Sequence, residues 1–146
     1  MYESFFGLNE KPFNLTPDPR YFYLSEGHRE ALAALIYGVR ERAGLITLTG
    51  PVGMGKTMIL ASFLDQIREH AETASFSGSV SGNRVEFLKD LCGVLGITPE
   101  QDSLFGVSQA IKDFAVRKSG EGRIVVVLVD EAQDLGLDEL EHLRHL

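Results

Sequence analysis

Residues Gly50, Pro51, Val52, Gly53, Met54, Gly55, Lys56 and Thr57 satisfy the spacing G-x-x-x-x-G-K-[ST] directly behind the apolar run at 45–49. The chemistry such a stretch supports is anion binding. Glycines let the backbone curl without a Cβ clash and aim several N–H groups at one phosphate, with the positive end of the following helix behind them. Lys56 is then placed to reach the β- and γ-phosphates of a nucleotide, and Thr57 to put its hydroxyl on a Mg²⁺ ion. Met58, next in the helix, completes the expected set of nucleotide-contacting residues. A second constellation lies at Asp130 and Glu131, which end an uninterrupted β-branched and aliphatic run at 124–129. Asp130 is placed to hold the magnesium shell, and Glu131 to polarise a water for attack on the γ-phosphate. Either acid alone reads as a turn cap or a solvated charge; together, behind such a strand and downstream of a phosphate loop, they read as one site.

These residues need strands and helices to bring them together. The run at 124–129 has the composition of a strand covered on both faces in a parallel sheet. Ligands of open α/β sheets bind outside the carboxyl ends of the strands, so two strands ending in phosphate and metal chemistry fit one crevice. A helix is expected from about 56 to 70. Ser25 begins a helical pattern with Ala31, Leu32, Leu35, Ile36 and Val39 on one face, ending near Arg42 before Gly44. A short strand is expected at 73–77. Asn83, Arg84, Val85 and Glu86 have capping-box spacing before a helix with Val85, Leu88, Leu91, Cys92 and Leu95 on one face, which Gly96 ends. Thr98-Pro99-Glu100-Gln101 is expected to start another, with Leu104, Val107, Ile111, Phe114 and Ala115 inward, and Leu137, Leu140 and Leu143 imply a final short helix. Residues 1–24, dense in aromatics and prolines, read as an extended arm packed on the domain. The alternation predicts an α/β fold, three-layer αβα with a parallel sheet. It has room for one strand between the phosphate-loop helix and 124–129, as in the additional-strand class of P-loop ATPases, with 124–129 expected beside 45–49.

Bulk properties narrow the classes. A chain of 146 residues, 44% hydrophobic, can bury one ordinary core. It carries no run of about 18 apolar residues and no signal-peptide pattern at its start, so a cytoplasmic location is the default expectation. Cys92 is the single cysteine, which excludes an internal disulfide and suits a small core residue. A formal net charge of −7 argues against a broad nucleic-acid footprint; Arg40 and Arg42, or Arg117, Lys118 and Arg123, could cluster locally, but they read first as solvated surface.

The chain resembles the AAA-type ATPases of the ExeA/GspA general-secretion kind, with the transposition ATPase TniB a more distant relative. The resemblance is carried by Tyr2-Glu3-Ser4-Phe5-Phe6-Gly7-Leu8, Pro12-Phe13, Thr16-Pro17-Asp18-Pro19-Arg20, Tyr23-Leu24-Ser25, His28-Arg29-Glu30-Ala31-Leu32, the loop from Gly50 to Thr57 and Asp130-Glu131-Ala132-Gln133-Asp134-Leu135. It implies one P-loop ATPase domain over 1–146, an arm at 1–24 and a nucleotide-binding core at 25–146. It further implies ATP and Mg²⁺ as cofactors, protein partners in a secretion or export complex, peripheral placement at the inner membrane through those partners, and a homo-oligomer. It places the arm near the adenine, so that Tyr23, His28 or a neighbouring aromatic either contacts the base or closes the core. Relatives often carry Asn-Pro after the second strand, where the Asn restrains the catalytic Glu; here the stretch reads Ser77-Gly78-Ser79. Relatives also continue into a sensor strand, an arginine finger and a lid. The expectation is therefore a truncated ATPase that binds nucleotide but turns it over slowly, with 45–49 left as an unpaired edge. The competing readings are a nucleotide-gated switch without catalysis and a DNA-coupled ATPase of the transposition type.

Overall fold

The computed structural model describes residues 2–9, 22–77 and 84–144. Helix α1 spans Tyr2–Phe6, α2 Glu26–Arg40, α3 Lys56–Ile67 and strand β1 Ala71–Ser77. Helices α4 (Arg84–Leu95) and α5 (Leu104–Gly120) follow, then β2 (Ile124–Asp130), a 3₁₀ turn at Ala132–Asp134 and α6 (Leu137–Arg144).

β1 and β2 pair in parallel, from Ala71 opposite Ile124 to Ser77 opposite Asp130. Side chains alternate across a strand, so each strand feeds two cores. On one face Ala71 and Leu128, with the partly buried Val126, meet Leu32 and Leu35 of α2 and Ile59, Phe63 and Ile67 of α3. On the other, Ala74 with Val127 and Phe76 meets Phe87, Leu88, Leu91 and Cys92 of α4 and Val107 and Ile111 of α5. The result is the α/β layering expected, helices on both sides of a parallel sheet. α5 is tied to the opening end of β1 by charge. Arg123 donates to the Ala71 carbonyl at 2.7 Å and Lys118 lies 3.0 Å from both Glu72 and Glu121. The hydrogen bond from Lys118 holds the Glu72 carboxyl below the ordinary glutamate range, while burial pushes the Cys92 thiol up.

Four expectations are corrected. β2 pairs with β1, not with 45–49, and 45–50 carries no strand; of its apolar residues Leu48 packs on the α2–α3 core while Leu45 and Ile46 are exposed. With two strands among the described residues, the sheet covers β2 only in part, and Leu128 alone of its residues is buried. Helix α5 starts at Leu104 rather than near Thr98. Ser103 accepts the Gly106 N–H at 3.1 Å, and the chain at Gln101 lies against the first turn so closely that a Cβ on Gly106 would come within 2.8 Å of the Gln101 carbonyl oxygen. Residues 2–6 are helical, with Phe5 and Phe6 exposed edge to face; residues 10–21 of the proline-rich arm, and Asn83 of the expected capping box, lie outside the described residues. Leu137 of α6 is also exposed, whereas Leu143 packs on the α4–α5 core.

Burial sets the energetic contrast between two phenylalanines. Phe87 is fully buried and Phe105 is 75% exposed. Phe87→Ala is expected to cost about 3–5 kcal/mol in urea unfolding, and Phe105→Ala less than about 0.5 kcal/mol.

Candidate nucleotide-phosphate site

The loop at 50–55 turns on two glycines in the left-handed region, Gly53 (φ 83°) and Gly55 (φ 80°), which a Cβ-bearing residue adopts only with strain. Met54 N–H closes toward the Pro51 carbonyl at 3.4 Å, and Gly55 then hands the chain to α3 as its N-cap. Within the loop the Lys56 ammonium donates to the carbonyls of Gly50 (2.9 Å) and Pro51 (3.1 Å), spanning its mouth. Val52 and Met54 at the tip are exposed, Gly50, Pro51 and Gly53 likewise, while Met58 sits half-buried in the first turn of α3.

Strand parity carries Asp130 to the same point. It shares the face of Val126 and Leu128, the face that packs on α3, so its carboxylate emerges beside that helix's first turn. There Thr57 Oγ1 donates to Asp130 Oδ2 at 2.9 Å across 73 residues of chain. Asp130 Oδ1 accepts the Glu131 N–H at 3.0 Å. Glu131 itself adopts φ 54°, ψ 41°, a left-handed conformation uncommon outside glycine, which bends the chain out of the strand. Its carboxylate accepts a hydrogen bond from the Gln133 amide in the following turn.

The structure thus brings Lys56, Thr57, Asp130 and Glu131 to the carboxyl end of β2. A hydroxyl and a carboxylate within hydrogen-bond distance form an all-oxygen donor pair suited to Mg²⁺, which takes one or two protein ligands and completes its shell with water and phosphate oxygens. No cluster of three or more His, Cys, Asp or Glu that could hold a metal occurs among the described residues. Two contacts escaped the reading of the sequence. One is Gln133 on Glu131. The other is His28, whose Nε2 lies 2.9 Å from the Met54 carbonyl, with Phe22 packed on its ring at 4.8 Å. Ser25 marks a helix start in the sequence, but nothing there points from His28 to the loop. Tyr23, one of the candidates to close the core, is 84% exposed.

The family model described as AAA domain matches residues 39–146. General secretion pathway protein A of Aeromonas hydrophila is 40% identical over 147 aligned positions, covering 100% of this chain and 27% of that protein. The chain therefore spans about a quarter of the relative's length, and the match includes α2 and the residues before it, which lie largely outside the family model. No solved structure gives a significant match. No helix among the described residues is long and apolar enough to cross a membrane.

The Thr57–Asp130 contact has its own test, independent of any ligand. A double-mutant cycle of Thr57→Val and Asp130→Asn, read in thermal or urea unfolding, is expected to give a coupling of about 0.5–1.5 kcal/mol, the range for one exposed hydrogen bond.

Proposed function

The chain belongs to the AAA-domain family, and from that premise we propose that it binds MgATP at 50–58 and hydrolyses it slowly, as the nucleotide-driven part of a protein that acts on a secretion or export complex. The observation that carries the reading is the Thr57–Asp130 hydrogen bond, because it joins the phosphate loop and the acidic strand end at the point where a nucleotide's terminal phosphates would sit.

The residues divide the work as follows. Backbone N–H groups of the loop and the start of α3 receive the phosphates. Lys56 exchanges two neutral carbonyl acceptors for phosphate oxygens, a stronger charge-assisted pairing. Thr57 and Asp130 would hold Mg²⁺, which when bound would neutralise negative charge developing on the nucleotide's phosphates. Glu131, released from the Gln133 amide, accepts the proton of the attacking water. Turnover is slow because stabilisation by an arginine finger typically contributes ~10³–10⁵ in rate, and several arginines here are committed elsewhere. Arg29 donates to the Leu24 carbonyl, Arg117 lies over Phe114 and Arg123 binds the far end of β1. A partner or a neighbouring copy would supply that charge. The secretion assignment draws on the name of the Aeromonas relative, and the acidic balance of the chain favours a protein partner over nucleic acid. The second reading, a switch that binds nucleotide without cleaving it, is favoured by the Gln133 contact that occupies Glu131.

ATP binding by calorimetry and single-turnover hydrolysis separate these. Lys56→Ala is expected to weaken binding by about 100-fold or more, and Glu131→Gln to spare binding while lowering hydrolysis by about 10²–10⁴. Binding unaffected by Lys56→Ala would contradict the phosphate-loop reading; hydrolysis unaffected by Glu131→Gln would remove Glu131 as the base.

A further inference from the structure

We propose that His28 is a positioning residue for the phosphate loop, holding the Met54 carbonyl so that the Gly55 N–H is turned toward the bound phosphate; the proposal rests on the nucleotide-binding reading of the loop.

His28 is the third residue of α2 and does the work usually given to Glu or Gln in a capping box. Ser25 Oγ accepts the His28 N–H at 3.3 Å, and the Ser25 N–H donates back to His28 Nδ1 at 3.3 Å. That accounts for one ring nitrogen. The other, Nε2, points the opposite way and meets Met54 O at 2.9 Å, a contact that capping does not require.

Both contacts select the same form of the ring. The Ser25 N–H, shared with the Tyr23 carbonyl at 3.1 Å, can only donate, so its contact with Nδ1 selects the neutral ring with the proton on Nε2, the donor that a carbonyl oxygen needs. Protonation of Nδ1 would keep the Met54 bond and exchange the cap for the Tyr23 carbonyl, also 3.3 Å away.

The consequence for the loop follows from peptide geometry. In a planar trans peptide the carbonyl of one residue and the N–H of the next point in opposite directions. With Met54 C=O fixed toward α2, the Gly55 N–H is fixed pointing away from α2. Gly55 makes this possible with φ +80°, which a residue with a Cβ adopts only with strain; a Cβ there would sit in van der Waals contact with the Phe22 ring (3.4 Å) and His28 Nε2 (3.5 Å). The loop backbone therefore rests flush on the Phe22–His28 pair, and α2 is in turn anchored on α3 through Leu32 and Leu35. A donor held in place before the ligand arrives needs no reordering on binding.

Substitutions at His28 separate its two nitrogens. An Asn amide reaches the position of Nδ1 and preserves the cap but falls short of Met54; a Gln amide reaches that of Nε2. ADP with Mg²⁺ is the probe, alongside the melting temperature of the nucleotide-free protein. His28→Asn is expected to weaken ADP about tenfold or more, the scale of one hydrogen bond to a charged oxygen, with the melting temperature within about 4 °C. His28→Gln is expected to restore affinity to within about threefold of the parent. In ¹⁵N NMR of the unmutated protein, His28 should carry its proton on Nε2 with Nδ1 unprotonated. Parent-like ADP affinity in His28→Asn, a Gln variant as weak as the Asn variant, or the opposite tautomer would each overturn the proposal. Failure of the unmutated protein to bind ADP would instead overturn the phosphate-loop reading, and this proposal with it.

Discussion

The side of the sheet on which Asp130 emerges governs the site. Parallel pairing of β2 with β1 fixes the alternation of its side chains, and the two helix layers demand that Val126 and Leu128 face α3 while Val127 faces α4 and α5. Asp130 inherits the α3 face by parity. A one-residue slip would turn it away from Thr57 and expose the apolar set of β2 to the wrong layer, so the hydrophobic packing of the domain and the placement of its carboxylate are one constraint. Glu131, next along, would fall on the opposite side were it extended; its left-handed backbone turns the chain into the 3₁₀ turn that presents Gln133 to it.

The loop has a corresponding support on its other flank. α2 is capped by Ser25 and seated on α3 by Leu32 and Leu35, and its first turn supplies His28 to the loop carbonyl while Phe22 backs the ring. Gly38 lets α2 approach the segment leading into the loop: a Cβ there would meet Ile46 at 2.4 Å. The phosphate loop thus lies between a helix that holds its backbone and a strand end that holds its threonine.

The motif residues were legible because their chemistry leaves a local signature: glycines where the chain takes positive φ, a lysine and threonine at a helix start, acids behind six apolar residues. The helix start at Ser25, the αL stop at Gly96 (φ 68°) and the inward faces of α2, α4 and α5 were legible for the same reason. Pairing was not. The apolar runs at 45–49 and 124–129 advertise suitability for a sheet, but which strand lies beside which is decided by tertiary packing, and it gave β2 to β1. The start of α5 was misread because Thr98-Pro99 imitates a helix entry while Ser103 performs the capping. The contacts of His28 and Gln133 on the loop and on Glu131 depend on how elements meet, which spacing does not encode.

The central claim is that the Thr57–Asp130 pair is where a magnesium ion joins the nucleotide to the protein. The measurement that tests it most directly is ADP affinity with and without Mg²⁺, in the parent and in Asp130→Asn. Mg²⁺ is expected to tighten ADP binding in the parent by about tenfold or more, and Asp130→Asn to lose most of this gain while keeping the metal-free affinity, since the loop and Lys56 are untouched. An Asp130→Asn protein in which Mg²⁺ tightens ADP as much as in the parent would contradict it.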